Sequence, residues 1–261
     1  MTHRLRRLIQ IFVCGCILWV GASPALAQLK DSTPIDQWKY QVSVAGSILN
    51  GNVNRNLLIS DAIAEYQNQD WGLYQRLNWQ WGSFGNQLTE NDWIARNFLY
   101  LWPQETWYPY LMTWFESNLR RQIPARLQIG PGLSWRFLDM EQHQLKVSTT
   151  LTIERSWFAS LRFAERPDLN QSVLDTARAT LRLAGQSHLI DSLSLNYELW
   201  LQPSLLDINN LRYYLEAGLN WKLNPQLAFK TSFLHTHESV RLSNVAANDF
   251  FVTFGLLFQS P

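Results

Sequence analysis

The strongest constraint on this sequence is an alternation of apolar and polar residues that recurs along most of the chain. In 38–44 and 193–201 every second residue is apolar, and the residues between are mostly polar. A period of two places the apolar side chains on one face of a β-strand and the polar side chains on the other. The sequence therefore predicts an all-β protein.

About twelve segments carry this pattern, with boundaries good to about 2–4 residues. They are 37–49, 55–67, 71–83, 91–102, 106–118, 124–138, 143–155, 173–185, 190–202, 210–223, 226–238 and 248–258. Strands of this length exceed the typical 5–6 residues of globular sheets and match a tilted strand that crosses a bilayer.

The connections between these segments alternate in length. Tight links such as 68–70 and 139–141 are separated by longer loops at 84–90, 156–172, 203–209 and 239–247. Outer-membrane barrels have short turns on the periplasmic side and longer loops outside, and most have an even number of strands. The prediction is an antiparallel up-and-down transmembrane β-barrel of about 12 strands over 37–261, in the bacterial outer membrane.

The polar face of the predicted strands is also the charged one. An Arg or Lys facing the midplane of the lipid would cost about 2–4 kcal/mol, so these side chains are expected to face the lumen. The predicted lumen-facing charges are Arg178, Arg182, Glu198, Arg212, Glu216 and Lys230. They fit two roles: ion pairs that fill the interior, or a ring that sets the ion preference of a narrow pore.

The first 27 residues have the form of a signal peptide. A basic head at 3–7 precedes an apolar stretch at 8–20, and a small-residue box ends at Ala27. We expect export by the Sec route and cleavage between Ala27 and Gln28, followed by a short N-terminal segment at 28–36. Both cysteines lie within this leader, so the exported chain is expected to contain no cysteine.

Composition narrows the function classes. Removing the three leader arginines leaves 19 basic against 21 acidic residues, a balance that gives no case for nucleic-acid binding. Aromatic residues make up 13% of the chain, which disfavours disorder. The expected partners are outer-membrane lipid, the barrel-assembly machinery during insertion and, for a conducting lumen, small ions or solutes.

Three stretches resemble a bacterial family known as domain of unknown function 481, whose members are often labelled salt-induced outer membrane proteins. They are Ser43–Asn54, Gln128–Phe137 and Glu216–Leu227. The resemblance implies an outer-membrane barrel and transfers no activity or site residue.

One local cluster, at 235–239, carries residues capable of chemistry. His235 and His237 share a strand face and could bind a metal, and His237 with Ser239 faintly resembles a phospholipase pattern. Solvated residues near a strand end are the simpler interpretation. We therefore expect no enzyme, no cofactor and no metal. An outer-membrane lipid hydrolase and a soluble periplasmic ligand-binding β-barrel are the alternatives.

Overall fold

A computed structural model describes residues 36–49 and 54–260, in which the regular structure is entirely β. The twelve strands are β1 Gln37–Leu49, β2 Arg55–Gln67, β3 Trp71–Phe84, β4 Gln87–Leu101, β5 Trp107–Asn118, β6 Ile123–Asp139, β7 His143–Trp157, β8 Val173–Ile190, β9 Leu193–Pro203, β10 Leu211–Asn224, β11 Leu227–Glu238 and β12 Asn248–Gln259. No helix in this part of the chain is long and apolar enough to cross a bilayer.

The strands form one closed barrel. Each strand pairs antiparallel with its neighbours in the chain, and β1 pairs with β12. Closure removes the sheet edges, whose free N–H and C=O groups would be costly in lipid. The prediction of a twelve-stranded antiparallel barrel is confirmed.

One seam of the barrel is shorter than the others. β1 and β12 pair over five residues, from Gln41 opposite Gln259 to Ala45 opposite Gly255. The other eleven seams pair over eight to fifteen residues.

The two rims of the barrel differ in their connections. We call one the short-turn rim; its connections are 68–70, 102–106, 140–142, 191–192 and 225–226. The other is the long-loop rim; its described connections are 85–86, 119–122, 158–172, 204–210 and 239–247. We call the halves of the barrel next to these rims the short-turn half and the long-loop half.

One predicted loop is wrong. The stretch 84–90 was expected to be a long connection, but β3 runs to Phe84 and β4 starts at Gln87. The two residues between them, Gly85 and Asn86, have φ values of 54° and 66°. Two consecutive positive φ values are what a tight type I′ hairpin turn requires.

The outer wall of the barrel is apolar and ends in aromatic residues. Exposed aliphatic side chains such as Leu127, Ile153 and Val252 alternate with residues that point inward. Exposed Trp and Tyr side chains lie near the strand ends at Trp38, Tyr40, Trp71, Trp81, Trp102, Trp107 and Trp221, and Trp93 lies further along β4. An apolar band between aromatic girdles is the surface that an outer-membrane barrel presents to lipid.

Candidate functional site: the barrel lumen

A cluster of buried charges occupies the long-loop half of the lumen, and we call it the network layer. Its members are Glu116, Arg121, Arg126, Glu154, Arg178, Arg212 and Glu238. Removing such groups from water costs several kcal/mol per ion, so each charge requires partners of opposite sign.

Arg126 of β6 lies at the centre of the network layer, with its side chain 1% exposed. Its guanidinium donates to Glu116 at 2.8 Å and to the hydroxyl of Ser156 at 2.9 Å. It also donates to Glu238 of β11, which lies five strands away around the barrel. The pair therefore reaches across the lumen.

Glu154 of β7 receives two further arginines. The Nε of Arg178 donates to its carboxylate at 2.9 Å, and the Nη2 of Arg212 at 2.8 Å. Arg178 also donates to the backbone carbonyl of Gln202 at 2.9 Å. The planar fork of arginine can serve several acceptors at once, which keeps a buried guanidinium satisfied.

A second charged cluster lies near the middle of the barrel. Arg76 of β3 makes two hydrogen bonds of 2.8 Å to Glu216 of β10 and one of 2.7 Å to Asp61. Glu198 receives Arg182 at 2.6 Å and Arg96 at 3.1 Å. The contacts of Arg76 with Glu216 and of Arg96 with Glu198 join distant strands.

Lys230 of β11 belongs to this middle cluster but is held more loosely. Its Nζ lies 3.8 Å from the Oδ2 of Asp61, whose other oxygen already accepts from Arg76. The Lys230 side chain is 19% exposed, more than its partner Asp61.

Aromatic residues fill the wall of the lumen beside these charges. Phe98, Tyr110, Met112, Trp114 and Trp200 form a buried cluster on β4, β5 and β9. Two arginines lie over these rings. The Cζ of Arg96 is 5.4 Å from the ring centroid of Trp114, and the Cζ of Arg182 is 4.7 Å from that of Phe98. The lumen therefore contains aromatic residues as well as the charged residues that the sequence predicts.

Two loops cover the long-loop mouth. Phe163 of the 158–172 loop forms a β-bridge with Leu242 of the 239–247 loop. Both belong to an apolar cluster that includes Ile123 and Phe158, and Leu242 is fully buried. We call this paired structure the loop cap.

An ion-paired arginine ties the loop cap to the β9–β10 loop. Arg166 donates to Asp168 at 2.6 Å and to Asp207 at 2.7 Å. The hydrogen bond from Arg166 holds the pKa of the Asp168 carboxyl below its ordinary value.

A cavity of about 80 Å³ remains in the lumen beside the β1–β12 seam. Val44 and Ala45 of β1 and Thr253 of β12 line it at the seam, Lys230 lines it from the neighbouring strand β11, and Arg76 lines it from β3. A space of this size holds a small polar group or a few water molecules.

The predicted lumen charges divide between the two clusters. Arg178 and Arg212 lie in the network layer, and Arg182, Glu198, Glu216 and Lys230 lie in the middle cluster. Sequence reasoning missed Arg126, Glu154 and Glu238 as site residues. The apolar neighbours Ala125 and Leu127 were a usable signal for Arg126, whereas Glu238 lies between His237 and Ser239 and has no such signal.

The histidine cluster is arranged differently from a catalytic pair. The ring of His237 stacks on Tyr213 at 5.0 Å, and its Nδ1 is hydrogen-bonded to Asn248 at 2.9 Å. The Ser239 hydroxyl donates to the carbonyl of Asn209 at 2.6 Å. Within 36–49 and 54–260, no group of three or more potential metal ligands occurs.

The cleavage site predicted between Ala27 and Gln28 lies outside the described residues, as do the leader and almost all of the 28–36 segment.

Solved structures share this architecture. The NanC porin has a TM-score of 0.54 at 7% identity, with 85% of this chain and 100% of that chain covered. An outer-membrane channel from Pseudomonas putida F1 has a TM-score of 0.49 at 10% identity, covering 89% and 100%. The KdgM porin in complex with disordered oligogalacturonate has a TM-score of 0.44 at 9% identity, covering 86% and 100%.

At such low identity the likeness to the NanC porin shows the fold alone, which is that of an outer-membrane β-barrel. Among proteins with curated functions, none matches this sequence. The model of the family described as "Protein of unknown function, DUF481" matches residues 42–259. The chain belongs to the DUF481 family.

Proposed function

We propose that this protein is an integral outer-membrane barrel whose lumen is closed to solutes at rest. It would then have a structural role in the envelope and would not act as a constitutively open porin. The observation that carries the proposal is the burial of Arg126, whose partners Glu116 and Glu238 come from different parts of the wall.

The exposure of the charges supports a closed lumen. A water-filled pore leaves the charged groups of its wall hydrated, whereas Arg126, Arg178 and Glu154 keep at most 3% of their side-chain exposure. Groups this dry leave no room for a continuous water path beside them. The loop cap adds a second barrier at the same end.

We also propose that the barrel is not an enzyme. The Ser239 hydroxyl is engaged with backbone groups, and His237 bonds to Asn248 instead of to Ser239. A serine nucleophile needs a base within hydrogen-bond reach, and this pair lacks one. Purified protein that hydrolyses phospholipid, with loss of that activity in Ser239→Ala, would contradict this part of the proposal.

The proposed location requires export across the inner membrane and insertion into the outer membrane. Outer-membrane lipid and the barrel-assembly machinery are the partners we propose, on the strength of the apolar outer wall. N-terminal sequencing of protein from the outer-membrane fraction is expected to start at Gln28. A mature chain that keeps residues 1–27 would contradict the signal-peptide interpretation.

Conductance in planar bilayers tests the closed lumen. The unaltered protein is expected to insert without steady conductance, because the network layer blocks the lumen. The double variant Arg126→Ala/Glu238→Ala removes the central pair and is expected to conduct in bursts. The matched control is Arg155→Ala/Asp175→Ala, an exposed pair on the outer wall, which is expected to behave as the unaltered protein.

Two outcomes would contradict the proposal: steady conductance of the unaltered protein, or equal conductance of both double variants. An unheated gel against a boiled gel establishes that each variant is folded, since membrane barrels usually stay folded in cold detergent.

A further inference from the structure

The β1–β12 seam is paired only in the short-turn half of the wall. Beyond Ala45 and Gly255, no pairing joins the two strands within the described residues. Gly46, Ser47 and Ile48 are exposed in succession, so both faces of β1 are open there. The seam therefore separates towards the long-loop rim.

This open part of the seam lies at the depth of the lipid. The outward residues of β12 beside it, Phe250, Val252 and Phe254, are apolar and at least 49% exposed. Unpaired backbone N–H and C=O groups cost several kcal/mol each in hydrocarbon. The gap is therefore the weakest part of the wall, where a molecule from the surrounding lipid can pass between the two strands.

The lumen cavity lies directly behind the gap. Ala45 and Thr253 line it from the two sides of the seam. Val44, which faces outward and is 42% exposed, lines it as well. The cavity therefore lies against the last paired residues of the seam, Ala45 and Gly255.

The lining of the cavity carries more cations than carboxylates. Arg76, Arg96 and Lys230 line it together with Asp61 and Glu216. With Arg182 and Glu198 behind them, the cluster has four cations and three carboxylates.

Lys230 is the cation best placed to take a new partner. Its one ion-pair contact among the described residues is Asp61 at 3.8 Å, so a closer anion can displace or share that contact. Arg76, in contrast, already makes three hydrogen bonds of 2.7–2.8 Å.

We propose that the open β1–β12 seam is a lateral entrance through which a single-chain anionic amphiphile from the membrane places its headgroup beside Lys230. A cavity of about 80 Å³ accommodates a carboxylate or phosphate group but no acyl chain. The chain therefore lies in the gap between β1 and β12 and continues into the lipid. The inference depends on the barrel's lying in lipid and is independent of whether the lumen conducts.

A second copy of the protein or a partner strand is the competing occupant of the gap. An added strand would pair with the edge of β1 but would leave the charged cavity behind it unused. The unpaired described stretch of β1 is also short, from Gly46 to Leu49. The amphiphile uses both features, the gap as the passage for its chain and the cavity as the site of its headgroup.

Equilibrium dialysis of labelled oleate against the purified barrel in non-ionic detergent tests the proposal. One oleate per barrel is expected to bind saturably. Oleyl alcohol, which has the same chain without a charge, is expected to bind about tenfold more weakly, the factor that one charge-assisted contact provides. Acetate and inorganic phosphate at the same concentration are expected not to compete, because they lack the chain.

Two pairs of variants locate the site. Lys230→Met is expected to weaken oleate binding about tenfold, and Lys222→Met, a lysine nearer the short-turn rim that does not line the cavity, is expected to leave it unchanged. Thr253→Trp fills the cavity beside the seam and is expected to abolish binding. Thr231→Trp adds the same bulk on the adjacent strand and outside the cavity, and is expected to have no effect.

A photoreactive oleate with a diazirine in mid-chain tests the route on the unaltered protein. Labelling is expected on β1 and β12. Labelling spread evenly around the apolar belt would overturn the proposal, as would the absence of saturable oleate binding or equal binding by Lys230→Met and Lys222→Met. A detergent-stable dimer cross-linked through β1 would identify a second copy as the occupant and overturn it as well.

Discussion

In the long-loop half of the lumen the cations are arginines, whereas the short-turn half carries lysines. Arg121, Arg126, Arg178 and Arg212 are buried among carboxylates, with exposures of 1–9%. Lys222, near the short-turn rim, is exposed. Lys39 and Lys146 also lie in the short-turn half. Arg136 is the one described arginine near this rim.

The difference follows from how each cation is hydrated. A guanidinium is weakly hydrated and its fork can satisfy several acceptors, so it can be buried between two strands. An ammonium is compact and strongly hydrated, and it stays close to water. The distribution therefore indicates a dry long-loop half and a short-turn half that is wet around Lys222, although Tyr108 and Ser134 are buried in the same half.

Removing the central arginine is expected to have the largest effect on stability. Arg126→Met leaves Glu116 and Glu238 buried without their main partner and is expected to lower the free energy of unfolding by about 3–5 kcal/mol. Lys222→Met in the wet half is expected to change it by about 0.5 kcal/mol or less. Urea unfolding of the two variants in lipid measures both. Equal losses would show that the two halves do not differ.

A pair of glycines is expected to give a smaller difference. A Cβ on Gly130 of β6 would lie 1.8 Å from the carbonyl oxygen of Leu151, so Gly130→Ala is expected to cost about 1–3 kcal/mol by overpacking. A Cβ on Gly218 of β10 would meet nothing closer than 3.8 Å, and Gly218→Ala is expected to be neutral. The same urea titration compares them. A neutral Gly130→Ala would mean that the wall is looser here than the structure indicates.

The loop cap is expected to give the smallest effect, confined to local opening. Leu242→Ser exposes the apolar cluster of the cap to water and is expected to raise the rate of proteolytic cleavage in 239–247 about tenfold, with global unfolding unchanged. Leu206→Ser, on a loop side chain that is already 73% exposed, is the control and is expected to leave the rate unchanged. Mass spectrometry of limited digests measures the cleavage rate of both variants. Equal rates would mean that the loop cap does not help to close the long-loop mouth.

The strands were predictable because the alternation that defines each strand lies within a short stretch of sequence. The bounds predicted for β1 and β2 agree with the structure, since alternation over 37–49 and 55–67 is bounded by polar turns. The start of β4 was missed because three of the four residues at 87–90 are polar in sequence. The pairing with β3 extends into this stretch, and polar residues tolerate it near the rim.

The lumen was less predictable because its contacts are not local. Glu238, which pairs with Arg126, and Glu216, which pairs with Arg76, each lie five strands away, so these pairs depend on how the closed barrel brings opposite walls together. The aromatic cluster was hidden for a related reason. On β4 the residues Phe98 and Leu99 are both apolar, and the sequence does not indicate which of them faces the interior.

Reactivity of single cysteines towards a membrane-impermeant maleimide tests the division of the lumen most directly, because residues 28–261 contain no cysteine. Thr152→Cys places a thiol beside Glu154 in the dry half, where Thr152 is 3% exposed, and Lys222→Cys places one in the wet half. The barrel is expected to label at position 222 at the rate of an exposed thiol and at position 152 about a hundredfold more slowly, because labelling there requires opening. Equal rates at the two positions would mean that water runs through the whole lumen and would contradict the closed barrel.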